Sequence, residues 1–165
     1  MCIRDSNSTV ELIDCTKLFE QEPPTANMNT RFTPYAMLRL FADQLPQIPD
    51  RILYLDDDIV IRGDITTFYN EDITGIELVG VLDYWGRFFF HNLKTKRAFD
   101  YLNSGVLLLN MKKIKQTDLF AEVRHMMQVK QMFLPDQSAI NKLAVAKRVA
   151  PRRYNEQYHL QKNTK

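Results

Sequence analysis

Three consecutive carboxylates, Asp56, Asp57 and Asp58, interrupt the stretch RILYLDDDIVIRGDI. Ile52, Leu53 and Leu55 precede them, and Ile59, Val60 and Ile61 follow. Two carboxylates about 4 Å apart repel by roughly 4 kcal/mol at an effective dielectric near 20, so gathering them beside apolar residues needs compensation. Alternate side chains of an extended segment share a face, which would aim Asp56 and Asp58 together and Asp57 away. Paired oxygen donors of this kind suit a hard divalent cation such as Mn2+ or Mg2+. The competing reading is a strand ending in an acidic, solvated turn.

Four further places carry chemistry. Asp83 follows LVGVL and precedes Tyr84 and Trp85. A carboxylate there could bond sugar hydroxyls while the rings pack on an apolar sugar face, or it could simply start a turn. Asn103-Ser104-Gly105 introduces the most apolar run of the chain. Gly105 permits close backbone approach and Asn103 offers a donor and an acceptor, although the same string also describes a plain turn. Asp136 follows Pro135 and opens a helix, so it is either an N-cap or, with Gln137, a carboxylate–amide pair facing a ligand. Arg39 is either a solvated helix residue or a group that neutralises phosphate or orients a carboxylate. His91, His125 and His159 share no spacing, and neither a Ser–His–Asp order nor a GxxxxGK[ST] phosphate loop is present.

The elements that must position these residues follow from hydrophobic period. TVELID alternates as a strand does, and CTKLFEQE reads as a short helix or turn. TPYAMLRLFADQLP reads as a helix capped by Thr33, with Pro34 at its first position, Pro46 ending it, and Leu38, Phe41 and Leu45 as its buried stripe. RILYL, ELVGVLD and GVLLLNM read as buried strands, and GDITTFYN as a loop or short helix. TDLFAEVRHMMQVKQMF reads as an amphipathic helix burying Phe120, Val123 and Met127, and PDQSAINKLAVAKR as a further helix. Strands alternating with helices argue an α/β layered fold, in which ligands sit beyond strand carboxyl ends. Asp56–Asp58 and Asp83 fall at such ends.

Bulk properties exclude several classes. The 165 residues suffice for one domain with a core, and the net charge of +2 is too small to indicate a nucleic-acid partner. Basic residues collect late, in KRVAPRRY and LQKNTK, as for an anionic ligand, a membrane surface or a solvated tail. Cys2 and Cys15 form no metal-ligand spacing and no disulfide framework, which points to a reducing compartment. No apolar run approaches the ~20 residues needed to span a bilayer. The opening MCIRDS shows no apolar period and reads as translated adapter sequence. Residues 1–8 are therefore expected to be a non-native or disordered leader, and 9–165 the domain.

The order of five strings, RILYLDDDIVIRGDI, GVLDYWG, YLNSGVLLLNMKK, PDQSAINKL and RYNEQY, resembles glycosyltransferase family 8, from about Thr9 to the end. The likeness is to its bacterial lipopolysaccharide galactosyl- and glucosyltransferases. It implies a GT-A fold, a Rossmann-related mixed sheet flanked by helices, and retaining, metal-dependent transfer of hexose from a UDP-sugar to a glycan acceptor. The family's DxD motif falls on Asp56 and Asp58, the implied ligands of a Mn2+ that bridges the UDP diphosphate. Asp57 falls where the donor ribose or sugar is contacted. Arg39 matches an arginine near donor sugar or phosphate, Asp83 an acidic residue near the sugars, and Asn103 with Ser104 the pair lining the donor sugar. Asp136 and Gln137 match the acidic–amide pair at the reacting centre. The family's retention is attributed to same-face substitution within an ion pair, the leaving diphosphate helping to deprotonate the acceptor.

Two family parts have no counterpart: the first strand, with much of the uridine pocket, and the C-terminal His-x-x-Gly-x-x-Lys-Pro-Trp segment, which His159 does not match. The expectation is a catalytically incompetent fragment, incomplete at both termini, of a cytoplasmic enzyme with peripheral contact to the inner membrane face. Two alternatives remain open on the residues alone. Asp56 to Val60 also fits the D-x-D-x-[TV] string of haloacid-dehalogenase-like phosphatases, with Asp56 as nucleophile. A non-catalytic sugar-nucleotide-binding fragment fits too.

Overall fold

The computed structural model describes residues 9–30, 34–84 and 100–157. Four strands form one sheet: β1 (Arg51–Leu55), β2 (Leu78–Leu82), β3 (Leu102–Asn110) and β4 (Lys147–Val149), in the spatial order β1-β3-β2-β4. The central β3 runs antiparallel to both β1 and β2, and β4 runs parallel to β2. The expected α/β class and mixed sheet are what the structure has.

β3 is apolar on both faces because both are covered, the usual reason for a continuous hydrophobic run. Leu107 and Leu109 join Leu78 in one core cluster, under α3 (Met111–Gln116), α4 (Leu119–Val129) and α5 (Pro135–Leu143). Val106 and Leu108 point the other way and meet Val79, Val81, Phe68 of α2 (Thr66–Tyr69) and Ala150. This is the period of two expected of a strand. Gly80 lets the strands close up, since a Cβ there would lie 2.8 Å from Leu107 Cδ2.

Three expectations need correction. TVELID forms no strand: residues 9–15 have no regular structure, and α1 (Thr16–Gln21) follows. Pro34–Gln44 is a 3-10 helix, and its buried face is Met37, Leu40, Phe41 and Ala42, with Leu38 and Leu45 only half-buried. A 3-10 helix repeats every three residues, which moves the stripe. PDQSAINKLAVAKR is not one helix, because α5 ends at Leu143 and β4 begins at Lys147. Buried Glu77 makes that turn: its Oε2 accepts the N–H groups of Val145 and Ala146, each at 2.9 Å. The proposed cap Thr33, Trp85 of the aromatic loop, His91 and His159 lie outside the described residues. The strand alignments bring the carboxyl ends of β1, β2 and β4 and the amino end of β3 to one edge of the sheet.

Candidate active site

Arg39 is the hub of that edge. Its side chain is only 5% exposed and lies between two carboxylates, Nη2 being 3.2 Å from Asp56 Oδ1 and 3.2 Å from Asp136 Oδ2. Nη1 donates to the Ser104 carbonyl at 2.5 Å, and Nε donates to Ala36 of its own helix at 3.1 Å. The guanidinium sits 4.2 Å from the centroid of the Tyr54 ring. Tyr54 lies two residues before Asp56 on the same strand face and donates its hydroxyl to Asp56 Oδ1 at 2.7 Å. Burial, together with this carboxylate, pushes the Tyr54 hydroxyl well up, so it stays a donor.

Gln137 is the second hub. Its Oε1 accepts Ser104 N–H at 2.9 Å and the Ser104 hydroxyl at 3.2 Å, and its Nε2 donates to Asp83 Oδ2 at 3.2 Å. Asn103 Nδ2 donates to the same Asp83 oxygen at 3.0 Å. Asp136 follows Pro135 in the first turn of α5, whose N-cap is Leu134. Its carboxylate is buried, and Oδ2 has no hydrogen bond despite the charge contact with Arg39. Burial raises its pKa, opposed by the Arg39 charge and by the backbone N–H groups of Gln137 and of Asp136 itself. Asp136 thus stands in the first turn rather than at the N-cap, with its carboxylate held at the site by Arg39.

Seven of the expected residues thus meet in one polar network: Arg39, Asp56, Asp83, Asn103, Ser104, Asp136 and Gln137. Asp57 and Asp58 stand apart. β1 stops at Leu55, and Asp57 and Asp58 occupy an exposed turn closed by Ile59 N–H to the Asp56 carbonyl at 3.4 Å. The extended-chain argument for pairing Asp56 with Asp58 does not hold there. Asp58 lines a cleft of about 810 Å³ bordered by Leu53, Leu55, Val60, Arg153 and Tyr154.

A hard cation fits Asp56 and Asp58 by donor chemistry. Asp56 Oδ1 is engaged by Tyr54 and Arg39, while Oδ2 lies against the backbone, where a Cβ on residue 105 would come within 3.0 Å of it. Glycine at 105 keeps that oxygen accessible. Among the described residues, no three His, Cys, Asp or Glu side chains are grouped to hold a metal. Further ligands would come from outside these residues or from substrate.

Several residues of this network have no role in the sequence reading. Asn141 clamps the start of β3, accepting Leu102 N–H at 2.7 Å and donating to the Leu102 carbonyl at 2.6 Å. It stands one helical turn after Gln137 and donates to that residue's carbonyl at 2.9 Å, a spacing visible in the sequence. Tyr101 meets Ser138 at 2.8 Å. Asn155 donates to Asn103 Oδ1 at 2.8 Å, a contact across 52 positions that no local pattern signals. The late basic residues are largely engaged within the chain: Arg148 with Glu71 at 2.9 Å, Arg152 with Glu156, and Lys147 with the Asn141 carbonyl at 2.7 Å. The basic residues of LQKNTK lie outside the described residues.

The family model described as glycosyl transferase family 8 matches residues 4–165. The chain is 27% identical to the lipopolysaccharide 1,3-galactosyltransferase of Salmonella typhimurium over 92% of its own length and 47% of that protein. It is 31% identical to the lipopolysaccharide 1,2-glucosyltransferase of Escherichia coli K12, over 77% of its own length and 40% of that protein. Its fold superposes on that of the galactosyltransferase LgtC, solved with donor and acceptor sugar analogues, with a TM-score of 0.62. Identity there is 26%, over 82% of this chain and 50% of the other. The chain spans half or less of the length of each of these proteins. With five ordered motifs, a GT-A-like sheet and a family model covering nearly all of it, the chain belongs to glycosyl transferase family 8.

Proposed function

We propose that the full-length protein transfers a hexose, from UDP-galactose or UDP-glucose, to a lipopolysaccharide-type glycan acceptor with retention of configuration. Asp56 and Asp58 would hold a Mn2+ or Mg2+ ion, which when bound supplies Lewis-acid stabilisation of the leaving diphosphate. The observation that carries this reading is the ion-paired line Asp136–Arg39–Asp56, with one Asp136 oxygen buried and lacking a hydrogen bond. Burying a carboxylate with little beyond an ion pair to compensate it is costly, which favours a group kept for its chemistry over one kept for packing. Asp83, Asn103 and Ser104 stand beside it with Gln137, offering donors and acceptors to the same sugar. Asp57, exposed at the turn, would contact the donor ribose or sugar from outside the network.

Arg39 sets the relation between the two halves of the site. It orients Asp56 from one side and Asp136 from the other, so metal-side and sugar-side groups share one rigid support. The glycan specificity is supported by the galactosyl- and glucosyltransferase relatives. We place the enzyme in the cytoplasm with peripheral contact to the inner membrane face. No helix among the described residues is long and apolar enough to cross a membrane.

The test is Mn2+-dependent transfer from each UDP-hexose by the full-length protein and by Asp56→Asn and Asp58→Asn. Both variants should lose transfer, because an amide binds a hard dication far less well than a carboxylate. Equal activity of variants and parent across Mn2+ concentrations would remove the metal assignment. Binding of UDP-sugar with neither transfer nor hydrolysis would make the protein a binder.

A further inference from the structure

Resting on the transferase reading, we propose that Asn155 and Gln157, on the segment after β4, are positioning residues for sugar transfer. They hold Asn103 and Asp83 in the orientations the sugar meets.

Gln157 brackets Asp83. Its Nε2 donates to the Leu82 carbonyl at 2.9 Å and its Oε1 accepts Tyr84 N–H at 2.8 Å. The side-chain amide thus pairs with the backbone on both sides of Asp83, as a residue of an added strand would. Asn155 acts on the neighbouring residue. Only 8% exposed, it donates Nδ2 to Asn103 Oδ1 at 2.8 Å. That oxygen also accepts Gly105 N–H at 2.9 Å. With two donors on its oxygen, the Asn103 amide cannot flip without loss, and its Nδ2 is committed to Asp83 Oδ2. The same carboxylate oxygen receives Gln137 Nε2 at 3.2 Å. A continuous relay therefore runs from Asn155 through Asn103 and Asp83 to Gln137.

The local turn does not account for these contacts. The 3-10 turn Arg152–Tyr154 is closed by backbone, with Asn155 N–H on the Arg152 carbonyl at 3.0 Å. Glu156, between the two, pairs with Arg152. The side chains of 155 and 157 instead reach across the sheet edge to Asn103, Leu82 and Tyr84.

Near-isosteric changes test the relay in the full-length protein. Asn155→Asp removes the donor and sets a carboxylate against Asn103 Oδ1. Relief by flipping that amide would turn its oxygen toward Asp83. Gln157→Glu keeps the acceptor for Tyr84 N–H and loses the donor to Leu82. We expect kcat for transfer to fall about 10- to 100-fold in each, the scale of a small misplacement at a reacting centre. Affinity for UDP, which carries no sugar, should stay at the parent value. Asn155→Ala should lose less turnover than Asn155→Asp, because it leaves Asn103 unopposed. A role in packing alone would give the reverse order. Gln157→Ala supplies a second truncation should a charged variant fold poorly. Variants that turn over like an active parent, or that lose UDP affinity in parallel with turnover, would overturn this inference alone. A parent that transfers from no UDP-hexose would overturn the transferase reading and this inference with it.

Discussion

Two arginines, Arg39 and Arg124, are equally buried, and each lies near two carboxylates and an aromatic ring, yet they are built differently. Arg124, 5% exposed, donates from Nε to Glu22 at 2.6 Å and from Nη1 to Asp43 at 2.7 Å, and also bonds the Leu40 carbonyl. It joins α1, the Pro34–Gln44 helix and α4 from a place 5.2 Å from the Phe41 ring centroid. Arg39 contacts its two carboxylates at 3.2 Å each, and one of their oxygens has no hydrogen bond. The first arrangement is complete in the protein alone. The second is looser, with longer contacts and one oxygen held by the ion pair alone. The 3-10 helix carries both contacts: Leu40 and Asp43 serve the staple, and Arg39 beside them serves the site. A fully bonded staple thus anchors the helix that presents the under-bonded arginine.

The pKa shifts separate the two in the same way. Burial raises the Glu22 carboxyl, but hydrogen bonds from Arg124 and Gln44 outweigh it and the net value is held down. Burial raises Asp136, and the more distant Arg39 does not overcome it. At one arginine the protein favours the charged carboxylate, and at the other it tolerates charge at a cost.

The largest effect that tests this contrast is on stability. Arg124→Met should cost about 3–5 kcal/mol, as a buried pair loses one partner and a carbonyl is stranded. Arg39→Met should cost less, about 1–3 kcal/mol, because its contacts are longer and Asp136 can take up a proton. It should nevertheless abolish transfer. Urea denaturation of both variants, read beside activity, checks the ordering, and equal losses of stability would erase the distinction. Next in size, Gln137→Ala should slow turnover about 10- to 100-fold with little change in UDP affinity, since it stands on the sugar side of the network. A parallel fall in both, measured by initial rates and calorimetric titration of UDP, would return the start of α5 to a structural role. Asp57→Asn should have a milder effect on transfer than Asp58→Asn. Similar losses in a Mn2+ titration would place Asp57 on the metal.

The smallest effect concerns pH. Glu22 has a lowered value, so its contribution to stability is present above its ordinary 4.5 and is lost as pH falls through the lowered value. Asp136 has a raised value, so the folded state holds the proton longer, and stability falls as pH rises above its ordinary 3.8. Glu22→Gln should flatten the acid-side loss, and Asp136→Asn should flatten the opposite slope. Unfolding free energies measured from pH 3 to 7 check both, and slopes of the same sign would contradict the contrast.

The buried strands around Val79 and Leu107, and the strand around Leu53, which is only half-buried, were legible because a run of apolar residues bounded by polar ones has few other fates. The amphipathic face of α4 was legible because Phe120, Val123 and Met127 repeat at helical spacing and all are buried. β4 was not, because KRV carries no apolar pattern and becomes a strand only when Glu77 turns the chain beside β2. The strand expected at TVELID failed for the reverse reason: its alternation has no partner strand among the described residues, and a strand needs a neighbour to bond.

Residue types alone left Arg39, Asp83, Asn103, Ser104, Asp136 and Gln137 open between a site and ordinary turns, caps or surface; the ordered strings that resemble the family nominated them together with Asp56. Their wiring was not in the sequence. Arg39 reaches Ser104 across 65 positions, and Asn155 reaches Asn103 across 52. Hydrogen bonds are short and directional, so whether such groups meet depends on how the strands align. Only the folded sheet, with β3 reversed between β1 and β2, brings their ends to one edge and decides that Asp136 faces Arg39 and that Asp57 and Asp58 face solvent.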